Sequence, residues 1–464
     1  MLHVSSDLRS FLQKTALQKF LHYVTFDTTA DELSHTVPSS AGQTELARFI
    51  YQEILDLGYS EDYLILDDSS TLYCTIPATS ETASTSSVSF LAHLDTSPEA
   101  PGDNVTPVIH KNYDGEPIFF SKNDSLVLAP KHHSFRTSLG EADSGNLNLF
   151  LDPDLHRYIG RDIITASGNS LLGADDKAGV ASLMAVLAAI KKYDLPHGLI
   201  QFVFTCDEEI GKGTDHLKYS LLHDFAFTVD GAREGTMEYE CFDAWRASVT
   251  FKGRVVHPSI AKNKMVNSIL EASRYVSQIY SSSNILSPDQ SSGREGFVYV
   301  TEVEGNCEES VVKMIIRSFS EAENERVRGI LTSLATHFES SKPGLSVDVA
   351  FTHQYANMVK HFSKAQELIE FAKDSISESG LDCEVVPIRG GTDGSRLTEN
   401  GVLCPNLFTG GHLFHSRLEY IPADTLGKSA EVVLRIINKF RTCSLKKHEV
   451  VLEGTLEIDD VTCT

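Results

Sequence analysis

Residues 170–229 constrain the fold most, because they alternate a short turn (170–176), an Ala-rich helix (177–193), an apolar strand (199–206), a polar helix and a second apolar strand (225–229). Strands that are apolar along their whole length must be covered on both faces. Helix-strand alternation supplies that cover in an α/β fold with a mostly parallel sheet. The longest charge-free apolar run, Ala178 to Ile190 between Lys177 and Lys191, is well short of the roughly 20 residues of a membrane helix and reads as a buried helix of this layer.

Helical spacing of apolar residues predicts two amphipathic helices at the start, over 8–24 and 45–57. The β-rich stretches 71–76 and 87–94 flank a polar tip and read as neighbouring strands of a hairpin-like pair. Beyond Asp230 the pattern changes to strand (247–252), helix (266–279), two paired strands (296–304 and 310–318), helix (321–338) and strand (345–352). This βαββαβ order predicts an inserted α+β lid domain with a ferredoxin-like layout. The α/β pattern then returns with helices over 365–379 and 429–440 around a Gly-rich turn at 389–395. The expected division is a first catalytic part over 1–242, a lid over 243–354, a second catalytic part over 355–442 and an acidic tail over 443–464. Residues 121–161 are long, polar and unassigned.

Forty Lys and Arg against 64 Asp and Glu leave a net charge of −24 over 464 residues, a field that repels nucleic acid and anionic membranes. The first twenty residues lack the basic start, apolar core and cleavage site of a signal peptide, so a cytoplasmic protein is expected. Eight scattered cysteines without a Cys-x-x-Cys pair imply reduced thiols.

Such an acidic chain can concentrate carboxylates at a cation site. His93 and Asp95 follow an apolar strand two residues apart and project from one face. Alone, they read first as a strand-end histidine bonded to an aspartate; the other reading is a metal ligand with the carboxylate that orients it. Asp175 and Asp176 lie on a turn before a helix, where they read either as N-caps or as a carboxylate shared by two cations. Asp207, Glu208 and Glu209 end another strand; their side chains diverge, so one glutamate can bind metal while its neighbour moves protons. Asp230 follows a further apolar strand, in what is otherwise an ordinary Asp-Gly turn. The carboxyl ends of strands in an open α/β sheet are where ligand sites form, and these residues collect there. With His415, imidazole and carboxylate sets for two zinc ions are complete around Asp175; cobalt and manganese accept the same donors.

The chain resembles the peptidase T, or tripeptide aminopeptidase, branch of the dinuclear-zinc M20 metallopeptidases over about 20–437. The likeness lies in His-Leu-Asp-Thr-Ser-Pro (93–98), Leu-Leu-Gly-Ala-Asp-Asp-Lys-Ala-Gly (171–179), Asp-Glu-Glu-Ile-Gly-Lys-Gly (207–213), Val-His-Pro (256–258), Ile-Ile-Arg-Ser-Phe (315–319), Pro-Ile-Arg-Gly-Gly-Thr-Asp-Gly (387–394) and Cys-Pro-Asn-Leu-Phe-Thr-Gly-Gly (404–411). The resemblance implies that His93, Asp175 and Asp230 hold one zinc and that Asp175, Glu209 and His415 hold the other. It further implies Glu208 as general base and Asp95 as the residue orienting His93. His257, Arg317, Asn357 and Arg389 match substrate-holding positions. The implied partners are short peptides, with a homodimer left open, and the implied reaction is release of the N-terminal residue of a tripeptide. Related dipeptidases, carboxypeptidases, deacylases and non-catalytic peptide binders share the fold and are the alternatives. The chain departs from the family at 412–419, His-Leu-Phe-His-Ser-Arg-Leu-Glu where the usual form is Tyr-Asn-Tyr-His-Gly-Lys-His-Glu, and at 257–264, where no glycine follows His-Pro.

Overall fold

The computed structural model describes residues 2–79, 86–131, 148–282, 284–443 and 445. Two compact units emerge: Met1–Glu238, His361–Val386 and Thr392–Thr464 form the first, Tyr239–Lys360 and Pro387–Gly391 the second. The expected acidic tail lies almost wholly outside the described residues, as does 132–147 within the stretch 121–161.

The first unit is built on an eight-stranded sheet in the order Leu64–Leu66, Leu72–Ile76, Ile200–Thr205, Val88–His93, Ala226–Gly231, Asn406–Phe408, Thr236–Glu238, Glu384–Val385. The four strands from Ile200–Thr205 to Asn406–Phe408 are parallel, and antiparallel strands flank them. Val88–His93 and Ile200–Thr205 are buried at every residue, as expected for a sheet covered on both faces. Phe90 stacks on Phe202 and Phe227 with centroids 6.0 and 5.8 Å apart, and the same residues are register partners across three adjacent strands. This ladder pins the register, since a one-residue slip would send every ring to the opposite face. The helices Ser6–Tyr23, Ala174–Tyr193 and Thr425–Thr442 pack against one another, and Ala174–Tyr193 also lies on the central strands.

Two expectations fail here. Leu72–Ile76 and Val88–His93 are not a hairpin pair, because Ile200–Thr205 lies between them. That strand is buried throughout and needs a hydrogen-bonding partner on each edge, which the local polar tip did not reveal. The polar helix expected after Cys206 is a series of turns with one 3₁₀ turn, Tyr219–Leu221. Positive φ at Asp207 (63°) and Gly211 (69°) breaks any α-helical path there.

The second unit is a four-stranded antiparallel sheet in the order Phe297–Gly305, Glu309–Ser318, Asp243–Lys252, Ser346–Tyr355, with the helices Ser268–Ser282 and Glu321–Ser341 packed on it. Strand order and βαββαβ sequence together give the ferredoxin-like layout. Its core is its own: Val249, Phe251, Tyr275, Met314, Ile316 and Leu331 are all buried in one cluster.

Replacing Phe90 by Ala removes the middle ring of the ladder and leaves a cavity in a tightly packed sheet, at a cost of about 3–5 kcal/mol. The first unit's urea transition, followed by circular dichroism, is expected at a clearly lower midpoint. A wild-type midpoint would show that the ladder does not hold the sheet.

Candidate active site

The turn before the long helix explains how two adjacent aspartates take different jobs. Gly173 has φ of 81°, and Asp175 and Asp176 have non-helical dihedrals, so the regular helix begins only after them. Asp176 Oδ1 accepts the Gly179 N–H at 3.1 Å, an N-cap bond, while its Oδ2 accepts the His93 N–H at 3.1 Å. Asp175 is thereby left to face the imidazoles. The helix comes so close to the sheet that a Cβ on Gly179 would lie 2.0 Å from the Val229 carbonyl oxygen.

His93 Nε2 lies 2.9 Å from Asp175 Oδ1 and 3.4 Å from Asp230 Oδ1. His415 Nε2 lies 3.3 Å from Asp175 Oδ2 and 2.8 Å from Glu209 Oε2. Asp175 therefore stands between two imidazoles, each with a second carboxylate. Among the described residues, His93, Asp176 and Asp230 form one group with donor atoms within 4.8 Å of one another, and His93, Asp175 and Glu209 form another. Tetrahedral zinc with bonds of 2.0–2.1 Å sets neighbouring donors about 3.3 Å apart, close to these separations. Glu209 Oε1 is buried and has no hydrogen-bond partner, which is costly for a carboxylate unless a cation is its intended neighbour. The donor set, two imidazoles and several carboxylates with no thiol, fits a divalent cation of the zinc class.

The surrounding residues hold these donors. Asp95, fully buried, faces His93 Nδ1 at 3.3 Å and accepts the N–H groups of Glu208 and Glu209 at 3.1 and 3.0 Å. Asn406 accepts the Asp230 N–H at 3.1 Å and donates to Glu238 at 2.7 Å. Asp207 accepts from Ser39 and Gln43, tying the loop that carries both glutamates to the start of the helix Ala41–Asp56. Glu99 meets His415 Nδ1 at 3.2 Å.

Protonation follows from crowding so many acids together. Burial pushes Glu209 and Asp230 up to about 7, with the Asp175 charge adding to it, and burial raises Glu208 well above the usual carboxylate range. For His415 burial opposes the charge, but hydrogen bonds to Asp175 and Glu209 override it and push the imidazole up to about 11; His93 is raised in the same way by Asp230 and Asp175. Burial alone would raise Asp175, yet the two histidines hold its carboxyl below the ordinary value.

The four residues expected to hold substrate belong to the second unit. His257 is exposed, and its Nδ1 lies 2.7 Å from Ser259 Oγ. Arg317 donates to the carbonyls of Trp245 and Ile316, and Asn357 donates to Phe319 O and accepts from Cys241 and Val359. Arg389 donates to the carbonyls of Gly293 and Glu295 and to Ser291, over the Phe242 ring. These three side chains thus have structural partners inside their own unit.

The family model for Peptidase family M20/M25/M40 matches residues 172–439. A Peptidase T of Desulfitobacterium hafniense (strain Y51) is 39% identical over 92% of this chain and 98% of its own length, and one of Geobacillus thermodenitrificans (strain NG80-2) is 36% identical over 92% and 99%. The chain belongs to the M20 peptidase family. It is accordingly a peptidase. The crystal structure of aminopeptidase PepT from Bacillus cereus ATCC 10987 shares this M20 fold, with a TM-score of 0.67 at 21% identity over 92% of this chain and 98% of that one.

Sequence reasoning missed Asp176 as a partner of His93, and it missed Asn406, Glu99 and Glu419, whose carboxylate accepts the N–H groups of Leu172, Gly173 and Asp175. Glu419 left one trace in the sequence, an acid directly before the apolar strand Tyr420–Pro422.

Cations and protons compete for the same atoms, so metal binding must release protons and strengthen as pH rises through 6–8. Calorimetry at pH 7 in two buffers of different ionisation heat should give apparent enthalpies that differ by at least about one proton's worth. Buffer-independent enthalpies would contradict the protonation states above.

Proposed function

We propose that the chain is a zinc-dependent aminopeptidase that releases the N-terminal residue of tripeptides. The observation that carries this reading is the end-to-end match to relatives named Peptidase T, which the chain covers over 98–99% of their length. The position of Asp175 between two imidazoles supports a site for two zinc ions, with cobalt or manganese as substitutes. In this proposal His93, Asp175 and Asp230 hold one ion, and Asp175, Glu209 and His415 hold the other.

Zinc in such a site supplies Lewis-acid polarisation of the scissile carbonyl and lowers the pKa of water toward about 7. Glu208 is assigned the proton transfers: its carboxylate takes a proton from the attacking water and delivers it to the leaving amine. Burial among other acids raises its proton affinity, which suits a group that must both accept and give. Asp95 holds His93 in its ligating tautomer through Nδ1 and fixes the backbone of both glutamates. Residues 243–354 are assigned the role of a lid that supplies His257 to the developing oxyanion. Arg317, Asn357 and Arg389 are assigned to the substrate through hydrogen-bonding capacity beyond the internal bonds described above. A cytoplasmic location is part of this proposal; among the described residues no helix is long and apolar enough to cross a membrane.

Glu208→Gln keeps size but removes the proton acceptor, so kcat is expected to fall at least about 10²-fold with both metals retained. Loss of zinc from this variant would mean that Glu208 and Glu209 have exchanged roles. A length panel tests the substrate: kcat/KM for tri-alanine should exceed that for di- and tetra-alanine, and N-acetyl-tri-alanine should be cut poorly. Equal rates across lengths, or preference for the acetylated peptide, would place the enzyme in another M20 branch.

A further inference from the structure

The segment from His412 to Tyr420 is a closed loop. Its ends bond to each other, His412 N–H to Tyr420 O at 2.9 Å and Tyr420 N–H to His412 O at 3.1 Å. The His412 ring lies flat on the Tyr420 ring with centroids 4.6 Å apart, and its Nε2 meets the Tyr158 hydroxyl at 2.7 Å. Tyr420 in turn donates to Asp152 at 2.5 Å. The base of the loop is therefore anchored through buried side chains, while His415 stands at its far end with φ of 60°.

One more residue of this loop is buried in the protein. Glu419 is 1% exposed, and its carboxylate accepts three backbone N–H groups of the turn that presents Asp175: Leu172 at 2.7 Å and Gly173 at 2.8 Å on Oε2, and Asp175 at 3.0 Å on Oε1. None of these N–H groups has a partner in the following helix, since the turn precedes it. The loop that carries one imidazole thus grips the turn that carries the carboxylate facing both imidazoles.

We propose that Glu419 is a positioning residue that sets Asp175 and His415 relative to each other before any metal arrives, so that both cation sites depend on it although it touches neither. This rests on the two-cation reading of the site. A neutral amide cannot replace it, because Gln presents an N–H₂ to at least one of the three N–H donors. Asp keeps the charge but withdraws it by one methylene.

The test uses the full chain. Zinc affinity, measured by competition with a chromophoric chelator, should fall about 10–100-fold at both sites in Glu419→Gln, the range typical when the support of a metal ligand is lost. Glu419→Asp should move in the same direction, and cobalt-loaded Glu419→Gln should show shifted visible d–d bands, which report ligand geometry. A folded Glu419→Gln with wild-type zinc affinities and an unchanged cobalt spectrum overturns the proposal. Should the variants fail to fold, hydrogen exchange of the wild-type protein decides: the amides of Leu172, Gly173 and Asp175 should be protected already in chelator-treated protein. Protection that appears only on adding zinc overturns it. A wild-type protein that binds a single zinc would sink the two-cation reading instead, a result distinct from either outcome above.

Discussion

The site depends on a single buried carboxylate that ties together the ends of two neighbouring parallel strands. Asp95 faces the imidazole of His93 with one oxygen and takes both glutamate N–H groups of the next strand's loop with its pair. It thereby sets His93, at the end of Val88–His93, against the loop after Ile200–Thr205 that carries Glu208 and Glu209. The two bonds to backbone N–H groups also satisfy both oxygens of this fully buried side chain. With Nδ1 facing Asp95, the ring of His93 presents Nε2 to Asp175 and Asp230.

The rest of the first unit delivers these strand ends to one level. The aromatic ladder of Phe202, Phe90 and Phe227 fixes the relative height of three strands. His93, the Asp207–Glu209 turn and Asp230 emerge at the same edge because of it. The helix Ala174–Tyr193 adds Asp175 from above the sheet, and its approach is set by Gly179, where any side chain would strike the Val229 carbonyl and the Asp176 carboxylate.

Much of this was legible in the sequence because it is local. Apolar strands ending in acids, the capped start of an Ala-rich helix and the βαββαβ order of the inserted unit all leave patterns within a few residues. Of the two readings of Asp175 and Asp176, the structure shows the cap bond at Asp176, while Asp175 faces both imidazoles. What was not legible is long-range. Ile200–Thr205 enters between two strands that are close in sequence, and no local pattern announces a strand arriving from more than a hundred residues away. Glu419 and Asn406 are hard to assign for the same reason: each bonds a backbone N–H more than 170 residues distant. The turns after Cys206 were misread as a helix because polar composition does not disclose the positive φ of Asp207.

The ladder also governs how such a sequence can drift in length. Because three rings must remain level across neighbouring strands, adding or deleting one residue inside Val88–His93 or Ala226–Gly231 would turn His93 or Asp230 to the opposite face of the sheet, and inside Ile200–Thr205 would displace the Asp207–Glu209 turn. Changes in the connections between those strands carry no such penalty. The ladder therefore constrains the length of these strands in a way that it does not constrain the length of the connections between them.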